Sequence, residues 1–188
     1  TGGVYSGAVL AGGASRRFGE DKALFVYRGK PLLLWVLESL RGAEERFIVA
    51  NRPYVGFGVP VYPDLLPGAD GLSGLHPALA HARFPWVAVA ATDLPFLTRG
   101  FWDFLYEQAR ASPYPVVAVY NPEGHLEPLM ALYHKDCLAQ VERQIREGDF
   151  RLGRVVEALG ATYVAAEEVV ARFGERVYLN ANRRADLP

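Results

Sequence analysis

Residues 4–22 of this 188-residue chain decide the fold, and they read VYSGAVLAGGASRRFGEDK. The mostly apolar run at residues 4–10 predicts a buried strand, because short apolar runs bounded by turn residues are typical of parallel sheets. A glycine pair, Gly12 and Gly13, follows this strand directly. In an open α/β sheet, ligands bind in the crevice at the carboxyl ends of the strands. The stretch therefore predicts a ligand-binding loop that leaves the sheet at that edge.

The composition of this loop favours an anionic ligand. Glycines let backbone N–H groups approach anionic oxygens without interference from Cβ, and Arg16, Arg17 and Lys22 add positive charge. This arrangement suits a triphosphate. The loop is neither a P-loop nor a dinucleotide fingerprint, because the G-x-x-x-x-G-K-[ST] and G-x-G-x-x-G spacings are absent. For the glycine pair alone, the alternative is a plain strand-to-helix turn with solvated arginines.

The rest of the chain alternates strand and helix patterns. Strands are predicted at residues 4–10, 46–50, 86–91, 115–120, 129–133, 161–165 and 177–179. Two core-facing helices are predicted from apolar spacing, one with Leu33, Val36, Leu37 and Leu40, the other with Leu152, Val155, Val156 and Leu159. The turn at residues 120–125 is too short for a crossover helix, so its flanking strands should pair antiparallel. We therefore predict a three-layer αβα fold with a mostly parallel mixed sheet.

Residues 51–73 form the most linker-like part of the chain, rich in proline and glycine. A long segment of this kind inside a compact domain is usually functional. We interpret it as a binding loop.

Composition limits the class of protein. The net charge of -1 argues against sequence-independent binding of nucleic acid, and 51% hydrophobic residues predict a single globular domain over residues 1–188. Cys137 is the one cysteine, which excludes an intramolecular disulfide and favours the reducing cytoplasm. Because no stretch approaches the roughly 18 apolar residues of a membrane span and no basic leader precedes the first apolar run, we expect neither export nor membrane insertion.

Two aspartates follow apolar runs. Asp93 comes after residues 86–91, at the carboxyl end of a central strand, where its carboxylate could hold Mg²⁺ together with substrate phosphates. The alternative for Asp93 is a helix N-cap or a strand-end salt bridge. Asp64 ends the short run at residues 59–63, and the alternative for it is an aspartate that starts a turn.

The glycine loop resembles the signature L-A-G-G-x-S-x-R-M-G-x-D-K of the molybdenum cofactor guanylyltransferases, which are nucleotidyltransferases, with Phe18 in place of the usual Met. The likeness continues in order and spacing through residues 29–32, 64–74, 92–95, 128–133 and 179–182, and so spans nearly the whole chain. The resemblance implies the Rossmann-like nucleotidyltransferase fold.

The resemblance also implies roles for individual residues. Arg17, Lys22 and Asp93 would be catalytic, and Asp93 would bind the Mg²⁺ cofactor. The implied nucleotide contacts are Leu10, Ala11, Gly12, Gly13, Lys22, Asn51, Asp64 and Asp93. Asn180 and Asn182 would lie toward the pterin substrate. The four histidines show no metal-ligand spacing and are assigned no chemistry.

The implied reaction is transfer of GMP from GTP to the phosphate of molybdenum-molybdopterin, giving molybdopterin guanine dinucleotide and pyrophosphate by Mg²⁺-assisted in-line attack on the α-phosphorus. A phosphate monoester has a second pKa of about 6 and is mostly dianionic at neutral pH, so the enzyme needs no general base. This agrees with the lack of a recognisable Ser or His catalytic pattern. The resemblance further implies transient contact with proteins that insert or deliver the molybdenum cofactor, and we predict a monomer.

Two alternatives stay open. The first is a cytidylyl or sugar-phosphate nucleotidyltransferase of the same fold, although molybdopterin cytidylyltransferases carry L-A-A-G where residues 10–13 here read L-A-G-G. The second is a noncatalytic nucleotide-binding sensor. The presence of Arg17, Lys22, Asp64 and Asp93 together argues against the sensor, because a pure binder requires no metal carboxylate at a transfer centre.

Overall fold

The computed structural model describes residues 4–11, 21–65, 70–181 and 187–188. Its strands, in chain order, are Ser6–Leu10 (β1), Val26–Tyr27 (β2), Lys30–Pro31 (β3), Glu45–Val49 (β4), Val61–Tyr62 (β5), Trp86–Ala91 (β6), Val116–Val119 (β7), Met130–His134 (β8) and Thr162–Val164 (β9). Seven of these strands form one sheet in the order β5-β4-β1-β6-β8-β7-β9, and β2 pairs with β3 in a small ribbon.

The large sheet is mixed but mostly parallel. Strand β1 pairs parallel with both β4 and β6, and the β4–β5 and β7–β9 pairs are also parallel. Strand β8 runs antiparallel to both of its neighbours, β6 and β7. The prediction that the strands flanking residues 120–125 pair antiparallel is therefore confirmed.

Helices cover both faces of this sheet. They are Leu32–Ser39 (α1), Asp70–His81 (α2), Arg99–Arg110 (α3), Leu138–Glu147 (α4), Leu152–Leu159 (α5) and Ala166–Phe173 (α6). Successive strand residues point to opposite faces, so Val9 joins the core beneath α1, α3 and α6 while Ala8 joins the core beneath α2, α4 and α5. The predicted three layers are confirmed. Within the described ranges, no helix is both long and apolar enough to cross a membrane.

Both predicted helical stripes face a core. In α1 and the residue after it, Leu33, Val36, Leu37 and Leu40 are at most 1% exposed. In α5, Val155 and Val156 are buried, and Leu152 and Leu159 pack against the same core while partly exposed. Full burial of one such side chain stabilises the fold by about 1.5–3 kcal/mol.

The predicted strand at residues 177–179 was wrong. The chain forms a 3₁₀ helix there, Glu175–Tyr178, after Gly174 with φ +83° ends α6. Only Val177 of the apolar run is buried, whereas Leu179 is 39% exposed. With a single side chain in the core, the run lacks the apolar face that would hold a strand in the sheet.

The binding loop predicted at residues 51–73 is not a loop along its whole length. This stretch contains β5 and the first residues of α2. Strand β5 is bounded by Pro60 and Pro63 and is too short for a recognisable pattern. Its place in the sheet comes from backbone bonds, because Ile48 N–H donates to Pro60 O and Ala50 N–H donates to Tyr62 O, each at 2.9 Å.

Candidate active site

Three strand ends lie level at one edge of the sheet. Leu10, the last residue of β1, is paired with Val49 at the end of β4 and with Ala91 at the end of β6. The chain leaves β1 toward β4 on one side and later returns to β6 on the other, which makes this edge a topological switch point. Open α/β sheets bind ligands in the crevice at such a point.

Register at this edge brings several predicted site residues together. Ala11 follows β1 directly, Asn51 lies two residues after β4, and Asp93 lies two residues after β6. Gly12, Gly13, Arg17 and Asn182, which were also predicted site residues, lie outside the described residues.

The Asp93 carboxyl group is placed where its negative charge is costly. Burial raises its pKa above the ordinary value, and the positive charge of Lys22 and the residue's own backbone N–H oppose that rise. Lys22 is therefore close enough to interact electrostatically with Asp93. A carboxylate in this environment gains from a further cation, because an opposite charge stabilises the ionised form.

Lys22 is presented by a short 3₁₀ helix, Lys22–Leu24. Asp21 caps this helix, because its Oδ1 accepts the Ala23 N–H at 3.1 Å. The cap fixes where the helix begins and so where the Lys22 side chain leaves the backbone.

Asn51 and Asp64 form a reciprocal pair. Asn51 Nδ2 donates to Asp64 Oδ2 at 3.1 Å, and Asp64 N–H donates to Asn51 Oδ1 at 2.9 Å. Strand β5 brings Asp64 to this position, since Val49 of β4 is paired with Tyr62 and each polar residue lies two positions further on. The strand that sequence analysis missed is thus the element that carries Asp64 to the site edge.

Asn180 reaches the same region from the C-terminal segment. The next residue, Ala181, donates its N–H to Asp93 O at 2.7 Å. Asn180 Oδ1 is buried and has no hydrogen-bond partner among the described residues. Its side chain lines a cavity of about 520 Å³ together with Pro122, Arg176 and Tyr178.

Glu127 is a charged neighbour of Asp93 that sequence analysis did not single out. Burial raises its pKa, a hydrogen bond from Asn121 Nδ2 at 2.9 Å lowers it, and the charge of Asp93 raises it further. The predicted antiparallel pairing of β8 could have indicated that Glu127 lies near Asp93. Because β8 runs against β6, the residues that precede β8, and not those that follow it, lie at the carboxyl edge of β6.

The donor set fits a hard divalent cation. Among the described residues, no three or more His, Cys, Asp or Glu side chains are grouped to hold a metal ion. Mg²⁺ is typically bound by one or two carboxylates together with substrate phosphates and water, not by an all-protein cage. Asp93, with its partly buried carboxylate, supplies the kind of ligand that such a site requires.

Comparisons with known proteins place this arrangement in context. A molybdopterin-guanine dinucleotide biosynthesis protein A from Archaeoglobus fulgidus has a similar crystal structure, with a TM-score of 0.83, 27% identity and coverage of 96% of this chain and 94% of that one. A probable molybdenum cofactor guanylyltransferase from Deinococcus radiodurans is 38% identical, over 96% of this chain and 90% of its own length. A probable molybdenum cofactor guanylyltransferase from Thermococcus sibiricus is 34% identical, over 96% of this chain and 94% of its own length.

The seven-stranded mixed sheet, with Asp93 at the end of one of its central strands, has the fold of the nucleotidyltransferases. Within that class, residues 7–163 match the model of the MobA-like NTP transferase domain. This chain belongs to that family.

Proposed function

We propose that this protein transfers GMP from GTP to the terminal phosphate of molybdenum-molybdopterin, giving molybdopterin guanine dinucleotide and pyrophosphate. The observation that carries the proposal is the meeting of the ends of β1, β4 and β6 at one edge of the sheet, where the positive charge of Lys22 acts on the carboxyl group of Asp93. The choice of guanine and of the pterin acceptor rests on the relatives, which share about a third of their residues over nearly the full chain.

The reaction breaks the bond between the α-phosphorus and the oxygen that leads to the β-phosphate. An acceptor phosphate oxygen forms the new bond, and pyrophosphate leaves with the electron pair. Since the acceptor is already dianionic at neutral pH, no side chain has to remove a proton. The protein must align the two substrates and offset the negative charge that gathers on the leaving group.

Asp93 is the residue that would hold Mg²⁺, which when bound neutralises charge on the triphosphate. Lys22, whose charge acts on Asp93, would contact the phosphates directly as a positive point charge. Arg17 is assigned a similar role from its place in the motif. Asn51 and Asp64 would contact the nucleoside, because they follow the two strands on the other side of β1.

The acceptor would bind on the opposite side of Asp93. Asn180 lines the 520 Å³ cavity, and its side-chain amide would hydrogen-bond the pterin there. Asn182 is proposed to share this task. A single domain over residues 1–188, a monomeric state, a cytoplasmic location and contact with cofactor-delivery proteins stay predictions.

Calorimetric titration with GTP, CTP, ATP and UTP in the presence of Mg²⁺ tests the nucleotide. We expect GTP to bind at least about 10-fold more tightly than the others, a difference of about 1.4 kcal/mol. Preference for CTP would support the cytidylyl alternative. A transfer assay with molybdenum-molybdopterin and labelled GTP separates the remaining alternatives, because a sensor would bind GTP without releasing pyrophosphate. Failure to bind any nucleotide would refute the proposal.

A further inference from the structure

One tyrosine contacts the chain on both sides of residues 12–20. Tyr54 Oη lies 2.9 Å from the carbonyl oxygen of Ala11, which precedes that segment. It also lies 2.9 Å from Oδ2 of Asp21, which follows the segment. The hydroxyl carries one proton, which it shares between these two acceptors. A single side chain thus sets the separation between the two ends of the glycine-rich stretch.

Tyr54 is held rigidly enough to act as an anchor. It is only 5% exposed, and its ring packs edge-on against Phe57 with centroids 6.2 Å apart. Burial and the neighbouring Asp21 carboxylate raise the pKa of its hydroxyl, so the donor stays protonated throughout the neutral range. Ala11 is fixed as well, because its N–H donates to Val49 O at 2.9 Å.

The Asp21 carboxylate is oriented by donors from two different parts of the chain. Tyr54 and Arg52, both in the segment after β4, reach its Oδ2, with Arg52 Nη1 at 2.7 Å. Ala23 N–H reaches its Oδ1 from the 3₁₀ helix that begins at Lys22. The Arg52 side chain is 60% exposed, so its ion pair with Asp21 is screened by solvent and contributes less than the buried hydroxyl.

We propose that Tyr54 is a positioning residue for triphosphate binding: through Ala11 and Asp21 it fixes the two residues that flank positions 12–20 and the start of the helix that carries Lys22. The inference rests on the proposed function. It adds a residue whose own side chain need not touch the substrate, and it couples the segment after β4 to the phosphate end of the site.

The variant Tyr54→Phe tests this inference, because it keeps the ring and removes only the hydroxyl. The matched control is Tyr5→Phe. Tyr5 is fully buried, and its hydroxyl also donates to a carboxylate, Asp103 Oδ1, at 2.9 Å. Tyr5 precedes β1 at its amino end, so the same kind of bond is lost at the opposite edge of the sheet.

We expect Tyr54→Phe to raise the KM for GTP by about 10-fold and to leave the KM for molybdopterin within about 2-fold, since one loop-anchoring bond is lost. Tyr5→Phe should lower the melting temperature by at least as much as Tyr54→Phe does, but it should leave the KM for GTP unchanged. The double variant, Tyr54→Phe with Asp21→Asn, should raise the KM for GTP no more than the single variant with the larger effect, because the two residues act as one unit.

An equal rise in the KM for GTP in both tyrosine variants would overturn the inference, because Tyr54 would then be merely structural. No change in the Tyr54→Phe variant would overturn it as well. In either case wild-type binding of GTP would leave the proposed function standing. If the wild-type protein binds no nucleotide at all, both the function and this inference are wrong.

Discussion

The backbone N–H of Ala181 donates a 2.7 Å hydrogen bond to the carbonyl oxygen of Asp93. This bond joins the C-terminal segment to the end of β6, although the two are far apart in the sequence. Because Asn180 precedes Ala181, this bond holds the backbone of Asn180 near the backbone of Asp93. The residue assigned to the acceptor and the residue assigned to phosphate chemistry therefore keep a fixed spacing.

Replacing Asn180 with Ala should affect only the acceptor. We expect the KM for molybdopterin to rise by about 10-fold through loss of a pterin hydrogen bond, while the dissociation constant of GTP stays within about 2-fold. Steady-state kinetics and calorimetry measure the two effects. Gln140→Ala removes a comparable amide on α4 and should change neither. A larger effect on GTP than on the pterin would contradict the assignment.

Asp93→Asn keeps the shape of the side chain but makes it a weaker metal ligand. We expect the single-turnover rate to fall by about 10²-fold or more and the GTP affinity to fall much less, because charge stabilisation is needed most in the transition state. Excess Mg²⁺ should recover part of the rate. Asp136→Asn removes an exposed carboxylate beside His134 and serves as the control. A normal rate with an unchanged Mg²⁺ requirement would show that Asp93 only caps the strand end.

Lys22→Met removes the ammonium group and keeps most of the side-chain volume. Loss of a contact to a charged phosphate should cost about 1.5–3 kcal/mol of GTP binding. Calorimetry with Mg²⁺ present measures it, and Arg110→Met, which removes an exposed positive charge from the end of α3, should have no effect. A large drop in melting temperature for Lys22→Met would instead indicate a structural role.

The Asn51–Asp64 pair can be tested by exchanging its members. Asn51→Asp alone places two carboxylates face to face and should weaken GTP binding by at least about 10-fold. The double exchange, Asn51→Asp with Asp64→Asn, restores a donor facing a carboxylate, so the melting temperature should recover. GTP affinity should stay low if the Asp64 carboxylate contacts the nucleotide. Full recovery of affinity would mean that the pair only shapes the loop.

The thiol of Cys137 should not react with thiol reagents in the folded protein. It is fully buried, its Sγ donates to Pro115 O at 3.3 Å, and burial raises the pKa of its thiol from 9.0 to about 12. A thiol reagent at pH 8 should label no cysteine until denaturant is added, and then one. Because the unfolded thiol ionises first, its contribution to stability is complete below pH 9 and is lost as the pH rises toward 12. Rapid native labelling would contradict this placement.

The sequence was sufficient to predict the central strands and the edge at which they end. Strands β1, β4 and β6 each contain a short run of apolar residues that is mostly buried, and that pattern is visible without a structure. The parallel arrangement then places whatever follows each run at one edge. This rule alone predicts the place of Asp93, whereas the roles of Ala11 and Asn51 were implied by the family resemblance.

The remaining site residues depend on contacts that no local pattern encodes. Strand β5 has two residues between prolines, and only its pairing with β4 brings Asp64 to Asn51. Tyr54 lies in an irregular segment, and its proposed role depends on its hydrogen bonds to both Ala11 and Asp21. Val177 shows the opposite error, in which a local pattern predicts an element that does not form. The short apolar run around it resembles a strand, but only Val177 is buried and the chain forms a 3₁₀ helix instead.

Asp93, which follows β6 in the middle of the sheet, divides the sheet into two halves, and the proposed function gives these halves separate tasks. On one side, β1, β4 and β5 carry the residues proposed to bind the nucleotide; on the other, the turn before β8 and the C-terminal segment carry those that face the acceptor. Under the proposed function, substitutions at residues 51–65 would alter base preference without disturbing acceptor binding. One scaffold with a shared central carboxylate can in this way evolve new pairings of nucleotide and acceptor, one half at a time.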